Sequence, residues 1–120
     1  MTDLLSQSFL LPDGRTLMYA EYGVPNGKPV LYFHGLAGSR LEAAVLDGTD
    51  LVKAGIRMIA CDRPGMGGSD FQPGRCFSHW PADIVPLADR LGLVKFAVLG
   101  VSGGGGYVSA CARLIPDRLD

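Results

Sequence analysis

A serine within a cluster of glycines is the strongest chemical signal in this sequence. Residues 100–104 read Gly-Val-Ser-Gly-Gly, which matches the pattern G-x-S-x-G, and an apolar run at 96–99 precedes them directly. Where that pattern joins a strand to a helix, the serine sits on a sharp turn that lifts its hydroxyl clear of the sheet. The pattern therefore predicts that Ser102 is a nucleophile. The positive end of the helix that follows would favour the negative charge that develops during its attack.

Two phosphate-binding patterns are the alternatives for a glycine-rich turn in this position. A Walker A loop needs G-x-x-x-x-G-K-[ST], but no lysine lies within or after the glycine cluster. The dinucleotide fingerprint G-x-G-x-x-G needs a glycine where Ser102 stands, and a start at Gly103 puts Val108 where the last glycine belongs. Both patterns fail, so the sequence favours the nucleophile.

A second motif, His-Gly-Leu-Ala-Gly at 34–38, follows another apolar run. Acyl transfer by a serine needs two N–H groups that stabilise the negative oxygen of the tetrahedral intermediate. One comes from the residue after the nucleophile, here Gly103, and the other from an earlier loop, where Leu36 is the expected donor. His34 and Gly35 would support this loop. His34 precedes the serine along the chain, so we interpret it as a histidine that orients the loop and not as the general base.

Two further polar residues invite a catalytic interpretation. Asp62 follows the apolar run at 57–61 and opens a third cluster, Asp-Arg-Pro-Gly-Met-Gly-Gly-Ser-Asp at 62–70. An aspartate two residues before Pro64 is more typical of a stabilised turn than of a catalytic acid. His79 stands at the start of a helical pattern, where we interpret it as a solvated or capping residue.

Strands and helices that would position these motifs alternate along the chain. Two short β-prone runs flank Pro-Asp-Gly at 12–14, which is typical of a hairpin. An apolar run without alternation at 30–33 then predicts a strand buried on both faces, 57–61 predicts the next buried strand, and 96–99 predicts a further strand. Each is followed by a helical pattern. Repeated strand–helix units of this kind predict an α/β fold, a three-layer sandwich whose mostly parallel sheet begins with the antiparallel hairpin.

The helical patterns carry their own start and stop signals. Ser39 with Glu42 three residues later predicts a capping box and a helix that pauses at Gly48 and ends at Gly55. The second pattern, from residue 80 to 91, is interrupted by Pro86, which should cost a hydrogen bond or cause a kink. In the third, apolar residues at helical spacing predict a buried face: Tyr107, Val108, Cys111, Leu114 and Ile115.

Composition excludes several classes of protein. The chain of 120 residues is 48% hydrophobic and 19% charged, so it can build a core. Its net charge of −1, without a run of either sign, argues against a partner made of nucleic acid or anionic membrane. We find no apolar stretch long enough to span a bilayer and no signal-peptide pattern. Three widely spaced cysteines predict neither a disulfide framework nor a metal site. We therefore expect a cytoplasmic protein.

Together, the three motif clusters resemble the α/β-hydrolase fold family, in its esterase-, lipase- and peptidase-like branch. The likeness extends from about residue 11 to 117 and implies the family's first five strands and helices A–C. It also implies Ser102 as the nucleophile, Leu36 and Gly103 as oxyanion donors, a small-molecule acyl substrate, and no metal or organic cofactor. A serine at this position argues against dehalogenase-type relatives, which use aspartate. Gly106 departs from a proline that relatives often carry.

The sequence lacks two members of a catalytic triad. In this family the order along the chain is Ser, then Asp or Glu, then His. After Ser102 the acids are Asp117 and Asp120, and no histidine follows. We therefore expect residues 1–120 to be the N-terminal part of a single domain and to be inactive alone. The apolar run at 96–99 would be an unpaired sheet edge that favours self-association. A non-catalytic binding relative and a truncated remnant remain alternatives.

Overall fold

A five-stranded mixed sheet forms the centre of this computed structural model, which describes residues 3–36, 38–46 and 48–120. Its order is β1-β2-β4-β3-β5. β2 is antiparallel to β1 and β4, and β3 is parallel to β4 and β5, so four of the five strands run in one direction. The strands are β1 (Gln7–Leu10), β2 (Thr16–Gly23), β3 (Lys28–Phe33), β4 (Ile56–Cys61) and β5 (Ala97–Gly100). The predicted hairpin and the three apolar strands are confirmed.

Within the described residues, three α-helices flank this sheet: α1 (Gly48–Ala54), α2 (Trp80–Arg90) and α3 (Gly105–Leu114). Short 3₁₀ segments of one or two turns complete the structure: Arg40–Val45, Phe77–His79, Ser102–Gly104 and Pro116–Arg118. α2 continues through Pro86. Gly55 and Gly92, just beyond α1 and α2, have φ of +69° and +74°, the left-handed conformation that commonly ends a helix. In the described part of the chain, no helix has the length and apolar character needed to cross a bilayer.

Alternation along the strands divides the core into two layers. Leu31 and Phe33 of β3 belong to the larger apolar cluster, which packs under α2 and α3, whereas Tyr32 belongs to a smaller one on the other face. The smaller cluster includes Ala43 of the first 3₁₀ segment and Leu51 of α1. Both faces of the sheet are therefore covered, and the predicted three-layer architecture is confirmed.

Two local predictions about the helices are wrong. The hydroxyl of Ser39 accepts the N–H of Leu41, but the carboxylate of Glu42 turns away from Ser39 and binds the Tyr32 hydroxyl (2.7 Å) and the Gly35 N–H (3.1 Å). Those two donors are buried, so each would lack a hydrogen-bond partner without the Glu42 carboxylate. Leaving them unpaired costs more free energy than leaving a backbone N–H at the helix start to bind water. On α3, Leu114 is exposed instead of lying on the buried face.

One side of β5 is only partly open. Phe96 pairs in parallel with Leu119, because the turn at Pro116–Arg118 brings the chain back beside the sheet. The N–H of Phe96 donates to Arg118 O, and the N–H of Asp120 donates to Phe96 O. The expectation that the whole run at 96–99 is unpaired is therefore wrong for Phe96. Within the described residues, β5 itself pairs with β3 alone, and Leu99 is exposed.

Candidate active site

Ser102 occupies a sharp turn between β5 and α3. Its φ of +52° makes it the one residue other than glycine with a positive φ in the described ranges. This left-handed conformation costs a β-carbon-bearing residue of order 1–3 kcal/mol, so the surrounding structure must hold it in place. The Ser102 residue is exposed. The turn therefore presents its hydroxyl to solvent at the carboxyl end of the parallel strands.

Two glycines make this turn possible. A Cβ atom added to Gly100 would lie 2.5 Å from the carbonyl oxygen of Gly104. One added to Gly104 would overlap the carbonyl oxygen of Phe33 and lie 3.0 Å from that of His34. Since all of these neighbours are main-chain atoms, they cannot rotate away. The G-x-S-x-G spacing is thus explained by the close approach of β3, the turn and the start of α3.

The loop that follows β3 lies against the Ser102 turn. A Cβ atom added to Gly35 would lie 3.4 Å from the Cβ of Ser102, and one added to Gly103 would lie 3.3 Å from the backbone nitrogen of Leu36. The structure therefore brings together the predicted nucleophile and the two residues predicted to donate N–H groups. Ala37, the next residue of the predicted loop motif, lies outside the described residues.

His34 is fully buried, and both of its ring nitrogens bind the backbone. Nδ1 lies 2.8 Å from Gly35 O, and Nε2 accepts the N–H of Arg63 at 3.1 Å, which assigns the ring proton to Nδ1. Burial lowers the pKa of His34 below its ordinary value, so the neutral ring is favoured. A histidine held in this way orients the loop and has no free nitrogen to offer Ser102.

Gly35 is held from both sides by side chains that the sequence motifs did not single out. Its N–H donates to the Glu42 carboxylate, and its carbonyl oxygen accepts from Nη2 of Arg63 at 2.9 Å. The Arg63 residue is only 4% exposed, and its guanidinium carbon lies 4.5 Å from the centre of the Tyr107 ring. The sequence did not indicate these roles, because the spacing of Glu42 from Ser39 predicted a helix cap and Arg63 belonged to a cluster that we interpreted as a turn.

Asp62 and His79 have structural partners. The buried carboxylate of Asp62 accepts from Nη1 of Arg40 (2.6 Å) and from the N–H of Gly68 (2.7 Å), which fixes the turn after β4. Nδ1 of His79 accepts the N–H of Cys76 at 3.1 Å at the start of the helical segment. These contacts agree with the turn and capping interpretations. In the part of the chain that the structure describes, no group of three His, Cys, Asp or Glu side chains is placed to hold a metal ion.

A model of the alpha/beta hydrolase fold matches residues 28–120. The chain therefore belongs to the α/β-hydrolase fold family, which confirms the resemblance drawn from its motifs. It is 37% identical over 112 residues to a non-heme chloroperoxidase from Streptomyces lividans, covering 89% of this chain and 39% of the relative. It is 32% identical over 109 residues to a bifunctional esterase/perhydrolase from Acinetobacter calcoaceticus, covering 88% and 38%.

The fold also matches solved structures. A hydrolase from Pseudomonas aeruginosa superposes with a TM-score of 0.85 at 22% sequence identity, covering 96% of this chain and 43% of that one. The chain spans about two fifths of the length of the two relatives and of this hydrolase.

Proposed function

We propose that residues 1–120 are the N-terminal part of a serine hydrolase domain that cleaves an ester or related acyl bond of a small molecule. The observation that carries this proposal is the strained, exposed Ser102 beside the amides of Leu36 and Gly103. Strain of this kind in a solvent-facing residue is typical of a functional site, because folding alone does not reward it. The esterase/perhydrolase relative supports the same chemistry.

The proposed reaction begins with attack of Ser102 Oγ on the acyl carbon of the substrate. As the bond forms, the carbonyl oxygen becomes negative and accepts hydrogen bonds from the N–H groups of Leu36 and Gly103. Collapse of this intermediate breaks the bond to the alcohol oxygen, which leaves with the proton taken from the serine hydroxyl. The acyl group stays on Ser102 until water attacks it, which releases the acid and restores the hydroxyl. Removing a single donor from such an oxyanion hole typically slows turnover by about 10²–10³.

The base that accepts the serine proton must come from outside these 120 residues. His34 is enclosed by Gly35 and Arg63, and His79 caps the backbone at Cys76. We infer that a histidine and an acidic partner from further chain complete the triad. Loss of the base typically costs about 10⁴–10⁶ in rate, and only about 10³–10⁴ over water then remains. The 120-residue chain alone should therefore not turn over substrate.

Fluorophosphonate labelling of the 120-residue chain tests the nucleophile, with the labelled serine located by peptide mass spectrometry. We expect slow labelling confined to Ser102 and abolished by Ser102→Ala. Ser109→Ala is the matched control, since Ser109 is exposed on α3 and its hydroxyl donates to Gly105 O. Labelling spread evenly over Ser109 and Ser102 would reject the assignment. Absence of label in the complete protein, despite a folded state, would favour a non-catalytic binding protein, because the base missing from the 120-residue chain would then be present.

The same proposal covers partners and location. The three free cysteines suit a reducing compartment, so we propose that the protein acts in the cytoplasm. The open side of β5 beyond Phe96 leaves backbone groups that can pair with a second copy, so we propose that the isolated chain self-associates there. Sedimentation across a concentration series measures that association.

A further inference from the structure

The peptide that joins Gly35 to Leu36 links two features of the site. A trans peptide is planar, and its C=O and N–H point in opposite directions. The carbonyl oxygen of Gly35 faces the buried side chains of His34 and Arg63, which bind it, and it also accepts the N–H of Gly38 at 3.1 Å. The N–H of Leu36 therefore points the other way, toward the surface that Gly103 shares. Any group that fixes the carbonyl of Gly35 also fixes the direction of the Leu36 N–H.

Arg63 contacts this loop twice. Its backbone N–H donates to Nε2 of His34, and Nη2 of its side chain donates to Gly35 O at 2.9 Å. The Tyr107 ring of α3 supports the guanidinium from one face. The turn after β4, the loop after β3 and α3 are thereby joined through a single side chain.

The charge of Arg63 is also unusually placed. A buried guanidinium is ordinarily matched by a carboxylate, because removing a cation from water is costly. Among the described residues, the ion pairs do not include Arg63, and its Nε lacks a hydrogen-bond partner. The positive charge acts instead on a peptide carbonyl. Hydrogen bonds in series polarise one another, so a cation on the C=O makes the N–H of the same peptide a stronger donor.

We propose that Arg63 is a positioning residue that aims and polarises the Leu36 N–H toward an oxyanion formed at Ser102. This inference rests on the proposed function, since it assumes that the oxyanion forms there. A purely structural role would consist of packing against Tyr107 alone. The two roles make different predictions for a folded chain without the guanidinium. The positioning role predicts that the chemical shift of the Leu36 amide proton changes, and the structural role predicts that it does not.

Arg63→Met removes the charge and the donor while keeping an apolar stem against Tyr107. Arg75→Met is the matched control: Arg75 also binds Tyr107, through the phenol oxygen, and its guanidinium carbon lies 5.9 Å from the ring centre. Arg63→Lys retains the charge and a donor without the planar fork, so it should restore part of the effect.

Phenylboronic acid is the probe of the oxyanion site, followed by ¹¹B NMR. Ser102 Oγ bonds to boron, the hydroxyl proton passes to solvent, and the boron keeps both hydroxyls as a tetrahedral anion. ¹⁵N–¹H spectra report the Leu36 amide in the same samples. We expect Arg63→Met to weaken the adduct by about 10- to 100-fold, a sizeable part of what an oxyanion donor supplies. In Arg63→Met the Leu36 amide proton should also move upfield. In both boronate affinity and this shift, Arg63→Lys should lie between Arg63→Met and the wild type, and Arg75→Met should match the wild type.

Each outcome decides the inference. A folded Arg63→Met chain with wild-type boronate affinity and an unshifted Leu36 amide overturns it. If that variant does not fold, the ¹³C′ resonance of Gly35 in Arg63→Lys decides: the N–H of Gly38 and the His34 ring remain as donors to that carbonyl, so an upfield shift from the wild type reports the loss of the guanidinium, and no shift overturns the inference. If the 120-residue wild type forms no boronate adduct, labelling of Ser102 in the complete protein decides the proposed function, and the Leu36 shift in Arg63→Met still tests the positioning role.

Discussion

Two adjacent glycines at the start of α3 should respond to alanine with opposite signs. Gly104 and Gly105 have similar helical φ values of −68° and −61°, so alanine suits the backbone at either position. An alanine methyl at 104 would overlap Phe33 O and lie 2.9 Å from the carbonyl carbon of Phe33, whereas one at 105 meets nothing within 4 Å. The clash, and not helix propensity, therefore separates the two variants.

The change in the free energy of unfolding for each variant combines a steric cost and a gain in helix propensity, which oppose each other. Forcing an extra methyl into a filled site costs about 1–3 kcal/mol, and replacing glycine by alanine in a helix returns up to about 1 kcal/mol. Gly104→Ala should therefore lower the free energy of unfolding by about 2 kcal/mol, because the opposing atoms belong to the backbone at the end of β3 and place the clash at the upper end of its range. Gly105→Ala should raise it by about 0.4–1 kcal/mol.

Urea unfolding followed by fluorescence measures both variants, since Trp80 is the single tryptophan of the chain and is buried. Gly104→Ala should also slow labelling of Ser102, because Phe33 O accepts the N–H of Val101 in the same turn. Equal stability of the two variants would refute the reasoning that close backbone packing shapes this turn.

Two more predictions concern the residues that hold the loop. Glu42→Ala should lower the free energy of unfolding by about 1–3 kcal/mol in urea titrations, because it leaves the Gly35 N–H and the Tyr32 hydroxyl buried without an acceptor. Tyr32→Phe, which removes one donor together with its need for an acceptor, should cost less; a larger loss there would contradict the account. Burial lowers the pKa of His34 below 6.5, so the unfolded chain binds its proton first and stability should fall as the pH drops below about 6.5, levelling off beneath the folded pKa. His34→Gln should remove that contribution from the pH dependence of unfolding, and an unchanged slope would argue against it.

Features confined to one stretch of chain were predictable from the sequence. The three apolar runs, the Asp-Gly hairpin and the Ser102 turn each depend on neighbouring residues, so pattern and geometry coincide. The meeting of the Leu36 loop with the Ser102 turn followed from topology, since parallel strands end at the same edge of a sheet.

Contacts between distant residues that the topology does not dictate were not predictable. Glu42 sits at capping distance from Ser39, yet buried donors on Gly35 and Tyr32 compete successfully for its carboxylate. The pairing of Phe96 with Leu119 likewise requires the chain to turn back after α3, and no local pattern indicates that reversal. The sequence did not indicate the role of Arg63 in holding the loop, because its partners, Gly35 and Tyr107, lie on other segments of the chain.

The left-handed backbone at Ser102 also bears on how this sequence has been shaped. Glycine adopts that conformation without a steric penalty, so natural selection for stability alone would be expected to place glycine there, as it has at Gly55, Gly65 and Gly92, whose φ values are also positive. Typical domains are stable by only about 5–15 kcal/mol, so a standing loss of about 1–3 kcal/mol at one residue is a substantial burden. A serine at this position makes the folded chain less stable than a glycine would. Its presence there is therefore better explained by selection for a reactive hydroxyl than by selection for stability.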